Sequence, residues 1–191
     1  MKTIADLHIH SRFSMATSKE GTPENLDFWA RKKGISLMGT GDFTHPVWRE
    51  ELKERLVAEG NGLYRLRDEY VKEESRKFPG KGTHFVVSGE ISSIYKKNGK
   101  TRKVHNIILL PSLEAADAMA QRLEKIGNIH SDGRPILGLD SHDLLEMMLD
   151  VCPEGILIPA HIWTPHFSML GAKSGFDSVE ECFEELTPYV H

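Results

Sequence analysis

The chain has 191 residues, 39% of them hydrophobic and 27% charged, an ordinary balance for one soluble globular domain with a sizeable core. Its formal net charge of −4 excludes polyanion binding by bulk charge, so any nucleic-acid contact must come from local basic patches. Cys152 and Cys182 lie far apart without a Cys-x-x-Cys spacing, which excludes a disulfide scaffold and a zinc knuckle.

Taken in order, the chain opens on Asp6-Leu7-His8-Ile9-His10-Ser11, which reads as a strand. Alternation then puts Asp6, His8 and His10 on one face and Ala5, Leu7 and Ile9 on the other. Two imidazoles two residues apart on a strand can hold one metal ion between them, and neutral ring nitrogens suit Zn, Mn or Fe. Thr22-Pro23-Glu24 supplies an N-cap, a proline for the first turn and an early acid. Leu26, Trp29 and Ala30 then form the apolar stripe of a helix ending at Gly34. Ile35 to Gly39 is a short buried strand that delivers Thr40-Gly41-Asp42-Phe43-Thr44-His45-Pro46 at its end. Trp48, Leu52 and Leu56 recur at helical spacing before the Gly60-Asn61-Gly62 break, and the charged stretch from Arg65 to Lys77 has no clear period.

The second half repeats the alternation. His84 to Ser88 is an apolar, β-branched run ending in Gly89-Glu90, and Val104 to Leu110 is another strand carrying His105. The basic run Lys96-Lys97-Asn98-Gly99-Lys100-Thr101-Arg102-Lys103 between them suits a hairpin turn and is also the strongest candidate for phosphate contact. Ser112 caps a helix through Ile126, a loop containing His130-Ser131-Asp132-Gly133 follows, and Asp140 or Ser141 caps a helix with Leu144, Leu145, Met148 and Leu149 on its core face. Gly155 to Pro159 is a buried strand delivering Ala160-His161-Ile162-Trp163-Thr164-Pro165-His166. Ser178-Val179-Glu180-Glu181 is a capping box for a helix ending near Pro188. No apolar run reaches the ~20 residues of a membrane span, and the N-terminus lacks a signal-peptide profile, so a cytoplasmic protein with no membrane partner is expected.

Strand then helix, repeated, implies an α/β fold with a largely parallel sheet or barrel and helices outside. His8, His10, Asp42, His45, Glu90 and His161 all fall at or just after the end of an apolar strand, where barrel enzymes assemble their sites. Imidazoles and carboxylates gathered on one rim make a ligand set for two or more divalent ions, with Glu90 as a bridge, and such a pair clamps a phosphate ester. Phosphoester hydrolysis is the reading. Trp163, with Phe167, offers an aromatic face on which an extruded base would stack, against the plainer reading of both as core.

The set DLHIHSRFS (6 to 14), GTGDFTHP (39 to 46), GEIS (89 to 92), HNIILLP (105 to 111) and PAHIWTPHFS (159 to 168) resembles the polymerase and histidinol phosphatase (PHP) superfamily. More narrowly, GTGDFTHP with HSDGRPILGLDS (130 to 141) and PAHIWTPHFSMLG looks like the PHP domain of endonuclease Q. The resemblance implies a PHP-type distorted (β/α)7 barrel over residues 1–191 and a cofactor set of two or three divalent ions, Zn or Mn before Mg. It also implies nicking of DNA on the 5′ side of deaminated bases such as uracil and hypoxanthine. Carried over residue by residue, it gives His8, His10, Asp42, His45, Glu90, His105 and His161 as metal ligands, with His8, His10 and Glu90 catalytic. Lys96, Lys97, Lys100, Trp163 and His166 are the candidates for DNA contact. Repair partners, a sliding clamp among them, leave no signature in the sequence.

Three departures accompany the resemblance. Phe43-Thr44 separates Asp42 from His45, leaving open which of the two ligates. Met15 and Ala16 stand where many PHP proteins place an Asp or His. The late Asp-x-His motif, the cysteine-bearing zinc region and the C-terminal portion of endonuclease Q have no counterpart after His166, which suggests an N-terminal fragment with an incomplete barrel. Two other readings therefore stand beside the endonuclease: a phosphatase acting on a small phosphate ester, which the acidic charge favours, and an inactive DNA-binding domain.

Overall fold

In the computed structural model, which describes residues 3–78 and 82–191, one long strand serves as the spine. The chain runs β1 (Ala5–Asp6), α1 (Pro23–Lys33), β2 (Leu37–Gly39), α2 (Pro46–Arg55), β3 (Leu56–Gly60), β4 (Leu63–Leu66), β5 (His84–Lys97) and β6 (Lys100–Leu110). It continues through α3 (Leu113–Glu124), β7 (Ile136–Leu137), α4 (Ser141–Val151), β8 (Ile156–Pro159) and α5 (Val179–Phe183). Short 3-10 turns fill Asp68–Tyr70, Glu73–Lys77 and Glu184–Tyr189.

β5 changes neighbours along its length. Its first residues lie between β2, parallel, and β4, antiparallel; from Val87 to Lys97 it pairs antiparallel with β6, and β7 joins it in parallel at Ser92 and Ser93. β8 pairs antiparallel with β6, and β1 lies parallel to β2. The result is one mixed eight-stranded sheet curled into a half-barrel. The expected largely parallel sheet is thus corrected, because two tight turns impose antiparallel neighbours. Gly60-Asn61-Gly62 joins β3 to β4, and Asn98 (φ 54°) with Gly99 (φ 72°) makes the type I′ turn between β5 and β6.

Strand alternation separates core from site. On β6, Ile108 and Leu110 enter the main core with Val87 and Ile91 of β5, alongside Trp48, Phe43, Phe85 and Leu52. Ile107 and Leu109 face the other way, into a small cluster with Leu7, Val86, Ile158 and Ala160. By the same period of two, Glu90 shares its face with Val86, and His105 shares its face with Ile107. The register puts Glu90 opposite Ile107 and His105 opposite Ser92, which makes Glu90 and His105 diagonal neighbours on one face.

Helix ends follow local chemistry. The Thr22 side chain accepts from the Asn25 amide, and Gly34 (φ 73°) closes α1 in the left-handed region. Asp140 accepts from the His142 amide to cap α4, and Ser112 accepts from Ala115 to cap α3. Three expectations fail locally. Trp29 is 49% exposed, with the Lys32 ammonium 4.6 Å above its ring; buried Asp27, bonded to Arg31, takes the inner face of α1. Leu56 ends the helix by starting β3, whose pairing with Leu66 captures it. The last helix stops at Phe183, where Glu184 turns to φ 51°; Ser178 does accept from the Glu181 amide, while the Glu181 carboxylate bonds the Asp177 amide rather than closing a full box.

The opening strand is also shorter than expected. Its ladder covers only Ala5 and Asp6, and residues 7 to 10 pass instead against the backbone beyond β2. A Cβ on Gly39 would lie 2.7 Å from the Leu7 carbonyl and 2.4 Å from the Ser88 hydroxyl, so only glycine admits the segment that carries the two histidines. Gly39→Ala should therefore destabilise the fold by about 1–3 kcal/mol in urea titration. Gly138→Ala, where a Cβ meets no atom within 4 Å, should change it little.

Candidate metal centre

Four imidazoles, two from the segment after β1, one from within β6 and one just after β8, meet one carboxylate in the middle of β5. Glu90, on β5, is 2% exposed. Its Oε1 lies 3.1 Å from His8 Nε2, 3.1 Å from His105 Nδ1 and 3.5 Å from His161 Nε2, and its Oε2 lies 3.4 Å from His10 Nε2. His105 Nδ1 and His161 Nε2 are 3.3 Å apart. The donors fall into two groups that share the carboxylate, His8–His10–Glu90 and Glu90–His105–His161.

The arrangement has the donor set of a metal centre. Three imidazole nitrogens surround Glu90 Oε1, yet this buried oxygen has no well-aligned hydrogen-bond partner among the described residues. Lone pairs gathered around one point need a cation. Donors about 2.0–2.1 Å from a four-coordinate ion lie about 3.3 Å apart, close to the spacings seen here. Nitrogen and carboxylate ligands together suit Zn or Mn, and a shared carboxylate suits two neighbouring ions.

Outer partners fix the imidazole tautomers. Asp42 Oδ1 sits 3.0 Å from His10 Nδ1, so a proton held there leaves Nε2 facing Glu90 as a lone pair. Asp42 is fully buried, and its Oδ2 accepts from the Ser11 amide (2.7 Å), the Ser11 hydroxyl (2.6 Å) and the Ser14 hydroxyl (2.9 Å). Thr164 donates its hydroxyl proton to the His166 carbonyl, so it accepts from His161 Nδ1 at 3.2 Å and leaves Nε2 free for the centre. Asp42 (φ 50°) and His161 (φ 31°) both hold left-handed backbone, a conformation that the surrounding bonds sustain at the site.

Electrostatics follow from this packing. Hydrogen bonding to Asp42, then to Glu90, raises His10 to about 9 against the opposing effect of burial. Burial pushes the Glu90 carboxyl up, but the imidazoles of His10, His105 and His8 more than reverse this and hold it well below the usual carboxylate range. Burial lowers His161, partly offset by Glu90.

Two expected ligands lie elsewhere. Asp42 faces the far side of the His10 ring, which makes it a positioning carboxylate rather than part of the donor groups. His45 stacks on the Phe13 ring at 4.2 Å, its buried Nδ1 has no hydrogen-bond partner among the described residues, and burial lowers its pKa. Residues 40 to 45 form a turn, so strand alternation does not carry either side chain to the centre. Among the candidates for DNA contact, Lys97 is paired with Glu184 (2.7 Å) and Asp140 (3.4 Å), and Lys96 and Lys100 sit at the hairpin tip, roughly 20–25 Å along the strands from Glu90. Trp163 is 76% exposed on the wall of a groove of about 1070 Å³ that also contains His161. His166 is exposed and reaches the centre only through its carbonyl.

Sequence reasoning missed Arg134, whose Nη1 lies 3.4 Å from Glu90 Oε2, and the two serines that hold Asp42. The chemical signal was present in Gly133-Arg134-Pro135, but no period points a loop residue at a site.

No protein-family model matches the chain. It is 33% identical over 175 residues to an uncharacterized protein of Methanocaldococcus jannaschii, covering 91% of this chain and 18% of that one. It is 28% identical over 194 residues to the uncharacterized protein YqxK of Bacillus subtilis, covering 96% and 46%. The fold is similar to the lesion-specific endonuclease PfuEndoQ of Pyrococcus furiosus, with a TM-score of 0.76 and 27% identity over 96% of this chain and 40% of that one. It is also similar to an endonuclease Q bound to a 27-mer duplex with an abasic lesion at the active site, with a TM-score of 0.73 and 27% identity over 95% and 40%. The chain therefore spans less than half the length of these relatives. No described helix is long and apolar enough to cross a membrane.

Because the metal-free pKa of His10 lies above its unfolded value, the contribution of this residue to stability is full below pH 6.5 and fades as pH rises through about 9. An ion must displace that proton, so metal affinity should rise with pH across the neutral range. Proton NMR of the metal-free protein should show His10 titrating near 9, and Asp42→Asn should lower it by about 1 pH unit or more.

Proposed function

We propose that this chain is the metal-dependent phosphodiesterase portion of a DNA endonuclease that nicks on the 5′ side of deaminated bases. The observation that carries the reading is the convergence of four imidazoles on one buried, shared carboxylate, in a fold similar to solved endonuclease Q structures. Divalent ions held by His8, His10, Glu90, His105 and His161 would make a water molecule nucleophilic near neutral pH and offset charge on the departing oxygen.

The chain's own residues supply the rest. Glu90 ties the two donor groups together, and its burial keeps bulk water from competing for it. Asp42, fixed by Ser11 and Ser14, orients His10, and Thr164 orients His161. Trp163, exposed beside His161, offers a face for an unstacked base, an interaction worth ~1–3 kcal/mol. A second reading, hydrolysis of a small phosphate ester, is favoured by the net charge of −4 and by the ion pairs that occupy Lys97.

An end-labelled duplex with one deoxyuridine, incubated with Mn²⁺ or Zn²⁺, separates the two. The expected result is a nick immediately 5′ to the lesion, absent from undamaged duplex and abolished by a chelator. It should be reduced at least about 100-fold in His8→Ala and Glu90→Gln. Phosphate release from small monoesters without nicking would establish the second reading instead, and duplex binding without turnover would overturn both.

A further inference from the structure

We propose that Arg134 grips the phosphate at this centre, donating to a non-bridging oxygen of the ester; the inference rests on the phosphoesterase reading above. The arginine comes from the loop between α3 and β7, and that loop is clamped at consecutive residues. Asp132 Oδ1 accepts from the Arg134 amide at 2.9 Å, and the Gly133 amide donates to the Phe13 carbonyl at 3.0 Å. The buried Thr44 hydroxyl donates to the Gly133 carbonyl at 3.0 Å, and the Ser92 amide donates to the Pro135 carbonyl at 3.0 Å. A Cβ on Gly133 would fall 2.3 Å from the Asp42 carboxyl, so the loop rests on the same carboxylate that orients His10. The position of Arg134 is thereby tied to the position of the donor groups.

The guanidinium is under-used where it stands. One nitrogen reaches Glu90 Oε2 at 3.4 Å, a long contact, and its buried Nε has no hydrogen-bond partner among the described residues. Ions at the centre would compete with it for Glu90, and a guanidinium beside cations is unfavourable unless an anion lies between them. A phosphate ester drawn to the ions is that anion. The planar fork of arginine can meet two of its oxygens at once, which a lysine ammonium cannot.

The test is calorimetric binding of inorganic phosphate to the Mn²⁺- or Zn²⁺-loaded chain, with metal content measured on the same samples and nicking rates on the deoxyuridine duplex. Arg134→Ala should weaken phosphate binding by about 10- to 100-fold at unchanged metal content, with Arg134→Lys between the two. On the duplex, kcat should fall more than KM rises. Wild-type phosphate affinity in Arg134→Ala would overturn the proposal, and so would loss of the ions together with the phosphate, since the arginine would then serve only to support Glu90. A wild-type chain that takes up neither ions nor phosphate would sink the phosphoesterase reading itself, a result distinct from failure of the variant alone.

Discussion

One buried carboxylate sets the terms for this molecule. Removing Glu90 from water costs several kcal/mol unless positive charge or donors repay it, and here four imidazoles and a guanidinium stand around it. Glu90 stands on the long strand β5, whose neighbours differ along its length. A residue in the middle of such a strand can be approached from β1 and β2 on one side and from β6 and β8 on the other. The two faces of the sheet then divide the work, with Val87 and Ile91 anchoring the strand in the core while Glu90 points away from it.

What was legible in the residues was whatever depends on near neighbours. The cap of α1 at Thr22 and its stop at Gly34, and the hairpin turn within the basic run, read correctly because each is settled within a few residues; of the two caps open for α4, Asp140 and Ser141, the structure takes Asp140. The meeting of His8, His10, Glu90 and His161 was legible as well, since each falls at or just after the end of an apolar run and such ends share a rim; His105, which precedes its apolar run, came only with the family resemblance. Asp42 and His45 were not resolved by the same logic. They lie in a turn with a left-handed residue, where alternation no longer tells which way a side chain faces. Trp29 failed for another reason: a buried Asp27–Arg31 pair occupies the inner face that an apolar count assigns to tryptophan. Arg134 lay beyond reach because only contacts across the whole chain, to Phe13, Thr44 and Ser92, aim its loop.

Charge is distributed with the same economy. The basic hairpin, the strongest patch in the sequence, is partly spent on internal pairing. Lys97 meets Asp140 and Glu184, and buried Arg102 meets Glu181 while stacking on Phe176. These contacts knit the β5–β6 arm to α4 and to the segment around α5, and they leave the hairpin as a structural strut more than a surface for polyanions. The guanidinium nearest the centre is instead that of Arg134, 3.4 Å from Glu90 Oε2, so this positive charge is local to the site.

Because β5 must acquire partners on both edges before Glu90 and its imidazoles meet, the donors, which range from His8 to His161 along the chain, form no cluster in the unfolded state. An ion that needs donors from both groups would bind the folded chain far better than the unfolded one. By mass action the free concentration of such an ion becomes a variable of folding stability, and a thermal transition measured with and without it reports the affinity of the centre even where no reaction is followed.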